Sequence, residues 1–191
     1  MDPEDGKKWI AVTVIGRDRP GIVANVSRVL YGNRCNVEEL SQTVLRGQFA
    51  MILIGSVGEG GSTGRLKSDL AELGGELDLD INLRQLKAED RVPFESGETE
   101  PFIIIVQGED RPGVLYGITE ILAERGINIT NLAARVAPVS EKRGYMQVFE
   151  VDIPKKLDYG IIQEKLRQRG QEMGVSVDLQ HRDIFRAINQ I

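Results

Sequence analysis

The chain holds one cysteine, one histidine and one tryptophan in 191 residues, and aromatic residues make up only 5% of it. A lone cysteine, Cys35, excludes an intrachain disulfide and any metal site built on several thiolates. Its strand-like, apolar setting predicts a buried and inert thiol. The lone histidine, His181, falls near the end of the last expected strand, where an exposed edge position is expected. No Cys/His/Asp cluster has metal-ligand spacing, so neither a metal nor a cofactor is expected. Long apolar runs are missing as well: nothing approaches the roughly 20 residues that cross a bilayer. The acidic start, Met1-Asp2-Pro3-Glu4-Asp5, is unlike a secretory or organelle-targeting segment, and a cytoplasmic protein without membrane attachment is expected. The formal net charge of -5 leans against direct nucleic-acid binding, which requires clustered Lys and Arg. Gly58-Glu59-Gly60-Gly61 lacks the lysine of a phosphate-binding loop and precedes no suitable strand-to-helix turn.

What the chain does have is a repeat. Gly16-Arg17-Asp18-Arg19-Pro20-Gly21-Ile22-Val23 returns 92 residues later, from position 16 to position 108, as Gly108-Glu109-Asp110-Arg111-Pro112-Gly113-Val114-Leu115. Each copy follows strand-like residues and opens a helical pattern. At the same distance beyond each comes an asparagine in an apolar setting, Asn36 before Val37 and Asn128 before Ile129. A period of this length is too long for a solenoid and suits two copies of one small domain.

Within the first copy, Trp9 to Ile15 reads as a strand, and Pro20 can take the first helical position of the helix that follows. Ile22, Val23, Val26, Val29 and Leu30 recur at helical spacing up to Gly32. Asn36–Val44 and Phe49–Val57 read as strands around the tight turn Leu45-Arg46-Gly47-Gln48. Ser62 or Thr63 can cap a second helix carrying Leu66, Leu70, Leu73 and Leu77, and Leu79, Ile81 and Leu83 alternate as a last strand. The second copy repeats the order: a strand at Phe102–Val106, a helix from Pro112, strands at about 128–137 and 145–153 around a longer loop at 138–144, a helix through Ile161, Ile162, Leu166 and Met173, and a strand at Val175, Val177 and Leu179. The expected division is a first domain over 8–87, a polar linker over 88–99, a second domain over 100–182, and a tail over 183–191 whose Ile184, Phe185, Ile188 and Ile191 form a helical stripe. The tail is expected to dock on its own domain or on a partner, with the choice left open.

The order β-α-β-β-α-β, twice, predicts an α+β chain of two ferredoxin-like sandwiches in tandem, each an antiparallel four-stranded sheet with both helices on one face. The other face and the sheet edges stay open, which favours pairing of units and a homodimer. RNA-reading sheets of this kind carry aromatics in their central strands. Here those strands are mostly aliphatic.

The repeated loop admits two accounts. In one, Asp18 and Asp110 cap the first helix of each copy, the prolines start it, and Gly21 and Gly113 let it pack closely on the sheet. In the other, the helix N-terminus receives a ligand. The unsatisfied N–H groups of Gly21, Ile22 and Val23, and of Gly113, Val114 and Leu115, suit a small carboxylate. Asp18 and Asp110 beside them could pair with an ammonium group, and Asn36 and Asn128 offer both a donor and an acceptor. A weaker reading has Arg19 or Arg111 converge with the asparagines on a phosphate, as in a small hydrolase.

The D-R-P-G-[IV]-[VL] loop, the element order and the Asn-[VI] opening of the second strand resemble the ACT-domain family of small-molecule regulatory modules, and specifically its tandem members. The resemblance covers about residues 8–87 and 100–182. It implies a non-catalytic, amino-acid-binding regulator acting allosterically through ACT–ACT interfaces. It also implies a ligand site formed by Asp18, Gly21, Ile22, Val23 and Asn36, and by Asp110, Gly113, Val114, Leu115 and Asn128, and a possible regulated protein partner. The alternative is an interaction subunit without ligand that tethers an enzyme or transcription factor. Many family members have asparagine where this chain has Asp18 and Asp110. The first copy also has Arg34-Cys35-Asn36 where the second has the more typical Gly126-Ile127-Asn128.

Overall fold

A computed structural model describes residues 7–92, 97–139 and 142–189. The chain divides into two compact units, Met1–Pro93 and Phe94–Ile191. The first holds β1 (Lys8–Arg17), α1 (Ile22–Gly32), β2 (Cys35–Leu45), β3 (Gln48–Val57), α2 (Thr63–Glu76) and β4 (Leu79–Gln85). The second repeats this as β5 (Thr99–Glu109), α3 (Val114–Ala123), β6 (Asn128–Val139), β7 (Lys142–Pro154), α4 (Tyr159–Met173) and β8 (Val175–His181), and adds α5 (Arg182–Asn189). Each unit has one antiparallel four-stranded sheet, in the orders β2-β3-β1-β4 and β6-β7-β5-β8. These are two ferredoxin-like folds in tandem.

Alternation and helical spacing account for the elements. In β1, Ile10, Val12 and Val14 are fully enclosed against the helices, while Trp9, Ala11 and Thr13 on the other face are only half-buried and Ile15 is exposed. In α1, Ile22, Val26 and Leu30 fall four residues apart and are all buried, so one stripe of the helix meets the sheet. Leu66, Leu70 and Leu73 do the same for α2. Each unit closes its own core, one around Leu53 and Leu66 and one around Phe149 and Leu166. Burial of each such side chain contributes roughly 1.5–3 kcal/mol.

Several expectations are revised. Pro20 does not begin α1: the helix starts at Ile22, and Gly21 is its N-cap with φ of 96°. The expected loop over 138–144 is largely strand, since β6 runs to Val139 and β7 starts at Lys142; residues 140–141 of that loop lie outside the described residues. His181 is half-buried, its ring edge-on to Phe102 at 5.2 Å, rather than an exposed edge residue. Residues 183–189 of the tail belong to the helix α5, which packs on β5 and β8 of its own unit; the side chain of Ile188 and residue Ile191 lie outside what the structure describes.

The stretch after β4 is also ordered at its start. A 3-10 turn at Glu89–Arg91 folds back on the first unit. Asp90 anchors it, accepting from the Lys87 backbone N–H at 3.0 Å and from Arg84 at 3.0 Å, and the Arg91 guanidinium lies 4.7 Å from the centre of the Trp9 ring.

Both second strands carry a β-bulge at the same place. The register slips between Val37 and Glu39 in β2 and between Ile129 and Asn131 in β6. The extra residues are therefore Glu38 and Thr130.

Candidate functional site

The two Asp-Arg-Pro-Gly corners connect a central strand to the first helix of each unit. Gly21 and Gly113 sit in the left-handed region, with φ of 96° and 94°. Only glycine takes that conformation without strain. Room is not the reason for glycine: a Cβ at Gly113 would meet nothing within 4 Å, and one at Gly21 only the Asn25 amide at 3.5 Å. The close packing expected of these glycines is thus replaced by a conformational role.

The expected capping by aspartate is also replaced. Among the described residues no side chain caps α1 or α3. The second helices differ. Ser62 accepts from the Arg65 N–H at the start of α2, and Asp158 accepts from the Gly160 and Ile161 N–H groups at the start of α4. The first helices therefore present open N-termini, with no acidic residue in the first turn. In the first unit this end borders an open recess of about 630 Å³ lined by Asp18 to Ala24 with Gln42 and Phe49. Asp18 is held there through its backbone, whose N–H donates to the Gly47 carbonyl at 2.9 Å in the β2–β3 turn. Asp18 and Asp110 are exposed, and neither carboxylate takes a hydrogen bond or ion pair among the described residues. Ile22 and Val114 point into the cores, whereas Val23 and Leu115 stay exposed, so these four bring backbone N–H groups rather than side chains to the corner.

The asparagines are elsewhere. Asn36 pairs with Ser56 on β3, while Arg17, next to Asp18, pairs with Gln48. Eight register positions separate them, about 26 Å along the strand. Asn128 pairs with Asp152 and Glu109, next to Asp110, pairs with Gly144, giving the same separation. Within each unit, Asp18, Gly21, Ile22 and Val23 come together, as do Asp110, Gly113, Val114 and Leu115, but Asn36 and Asn128 belong to the opposite end of the sheet. The amide of Asn36 is occupied: it donates to Glu38 at 3.1 Å. Arg111 pairs with Glu109 at 2.8 Å and lies at the far end from Asn128, so the arginine–asparagine convergence of a hydrolase does not form within the unit.

Sequence reasoning missed Glu38. It accepts from the Ser56 hydroxyl at 2.6 Å as well as from Asn36, and these two bonds, Ser56 first, hold its carboxyl below the usual range. The signal was the asparagine itself, which orients a carboxylate two residues on. Cys35 is buried, and loss of solvent, with Glu38 nearby, pushes its thiol up to about 11. A thiol in that state is a poor nucleophile.

ACT-domain family models match residues 8–84 and 102–171. The chain belongs to the ACT-domain family. Over 71 residues, 37% of this chain and 79% of that protein, it is similar to a UPF0237 protein of Methanopyrus kandleri at 49% identity. Across both ACT units it is similar to the glycine cleavage system transcriptional repressor of Escherichia coli, 29% identical over 137 residues, 71% of this chain and 68% of the repressor. A crystal structure of an unknown protein from Galdieria sulphuraria superposes with a TM-score of 0.73 at 29% identity, covering 92% of this chain and 98% of that one. Among the described residues of the ACT units, no three His, Cys, Asp or Glu side chains group as metal ligands. No described helix is long and apolar enough to cross a membrane.

Proposed function

We propose that this tandem ACT protein is a non-catalytic regulator that binds a free amino acid at the open N-termini of α1 and α3. The observation that carries the reading is the contrast between helices: α2 and α4 are capped by their own side chains, whereas α1 and α3 start at left-handed glycines and leave their N–H groups open. Those N–H groups would take the carboxylate, and Asp18 or Asp110 the ammonium. Because Asn36 lies about 26 Å from Asp18 along its own sheet, it can serve such a ligand only where loop and asparagine belong to different ACT units. The relative named as a transcriptional repressor supports a regulatory role for this chain. Occupancy would act by favouring one packing of ACT units over another, by no more than the ligand's difference in affinity for the two.

The test is a thermal-shift screen of the twenty amino acids followed by calorimetry. At least one amino acid is expected to raise the melting temperature, and Asp18→Ala together with Asp110→Ala is expected to abolish that shift. A response unchanged in the double variant would remove the corners as the site. No response to any amino acid would favour the ligand-free interaction subunit.

A further inference from the structure

The chain leaves the last strand of the two units in different ways. After β8 it passes directly into α5, whereas after β4 it forms a strap over residues 86–91 that ends in the 3-10 turn at Glu89–Arg91. Four N–H groups of the strap are bonded. Leu86 donates to the Trp9 carbonyl at 2.8 Å, Lys87 to the Asp90 carboxylate at 3.0 Å, Asp90 to the Lys87 carbonyl at 3.1 Å and Arg91 to the Ala88 carbonyl at 3.2 Å. Only the first of these reaches the sheet. The rest of the strap is held down by charged contacts at the surface, which include Arg84 on Asp90 at 3.0 Å and the Arg91 guanidinium over the Trp9 ring. Strap and ring share one open recess, lined by Trp9, Glu38, Glu39, Leu86, Asp90 and Arg91 among others. Closure carries a standing cost. The Trp9 indole nitrogen is buried and has no hydrogen-bond partner among the described residues, and water reaches such a donor only when its cover lifts. The sandwich does not require the arrangement. In the second unit Pro101 stands opposite Asp152 where Trp9 stands opposite Ser56, and Arg182 of α5 follows His181 where Leu86 follows Gln85.

We propose that the strap is a clasp that sets the length of free chain between the two ACT units. Beyond it the next anchor is Glu98, whose carbonyl accepts from the Lys155 N–H at 2.9 Å and whose carboxylate pairs with the Lys155 ammonium at 3.2 Å. With the clasp closed, the chain between anchors is residues 92–97, which reach about 20 Å when extended. With the clasp open it is residues 86–97, twice as many, which reach about 40 Å. For a flexible tether that doubling lowers the effective concentration of one unit at the other about threefold. Salt opens the clasp, because its outer contacts are surface charges that mobile ions screen, whereas the core of the first unit is aliphatic. The clasp needs no ligand at the Asp-Arg-Pro-Gly corners.

Amide hydrogen exchange on the full-length protein reads the clasp, together with acrylamide quenching of Trp9, the only tryptophan in the chain. Asp90→Ala removes the acceptor of both Lys87 and Arg84. In that variant the Leu86 and Lys87 amides are expected to exchange about tenfold faster and Trp9 to be quenched more strongly. Protection over β1 and β3 and the melting temperature are expected to stay as they are, which marks local opening rather than unfolding. Raising sodium chloride from about 0.01 M to about 1 M is expected to move the unaltered protein in the same direction. Glu89→Gln, which removes only a surface pair with Lys87, is expected to change neither readout. Strap amides that exchange at the original rate in Asp90→Ala, or unchanged quenching of Trp9, would overturn the proposal. So would strap exchange that rises only in step with β1 and β3, or a Glu89→Gln variant that opens as readily as Asp90→Ala.

Discussion

Gln147 stands on the helix-facing side of β7, wholly enclosed, and neither atom of its amide finds a hydrogen-bond partner among the described residues. Its neighbour across the strand pair is Val106; the first unit pairs Val14 with Met51 at the corresponding place. A buried amide left unpaired costs about 1–3 kcal/mol, and methionine has similar reach without polar atoms. Gln147→Met is therefore expected to raise the stability of the second unit by about 1–3 kcal/mol. A urea midpoint that stays put or falls would show that the amide is satisfied inside the unit. Arg34 and Gly126 make a second such pair. Both take the left-handed conformation, with φ of 56° and 63°, and only the first unit bears a side chain there. That side chain reaches the Glu59 carbonyl at 3.3 Å, a contact that offsets part of the strain.

Among the elements, the helix starts carry most of the functional argument. Asp158 satisfies two N–H groups of α4, at 2.8 and 3.2 Å, so Asp158→Ala is expected to cost about 1 kcal/mol, read as a lower urea midpoint. Asp110→Ala should cost much less than this, because Asp110 caps nothing in α3. A comparable loss at both positions would mean that Asp110 supports its helix after all and would weaken the case for an open anion site. The helices also explain why, within each unit, the asparagines lie far from the aspartates. Eighteen positions separate Asp18 from Asn36 in sequence. An eleven-residue helix lies between them and runs back along the sheet for about 16 Å, delivering Asn36 to the far end.

At the level of the whole chain, each unit has its own hydrophobic cluster. Residues 1–92 expressed alone are expected to fold and melt cooperatively, with amide protection over β1 and β3 like that in the full chain. A fragment that is unfolded or aggregated would show that the first core is insufficient by itself. The copies share one feature and differ in another. Both keep the glycine corner and the bulge, and among the described residues only the first places Trp9, Glu38 and Glu39 around one recess.

Element identity and order were legible in the amino-acid sequence because burial on one face leaves a period of two in strands such as Ile10-Ala11-Val12-Thr13-Val14 and a four-residue recurrence in α1. The repeat of 92 residues likewise announced two copies of one fold. Spatial grouping was not legible, because it depends on strand register and on the direction in which a helix returns the chain. Register put Asn36 beside Ser56, at the end of the sheet away from Asp18, and a one-residue bulge brought Glu38 and Glu39 to one recess. Those placements arise from pairing between strands distant in sequence, which no local pattern encodes.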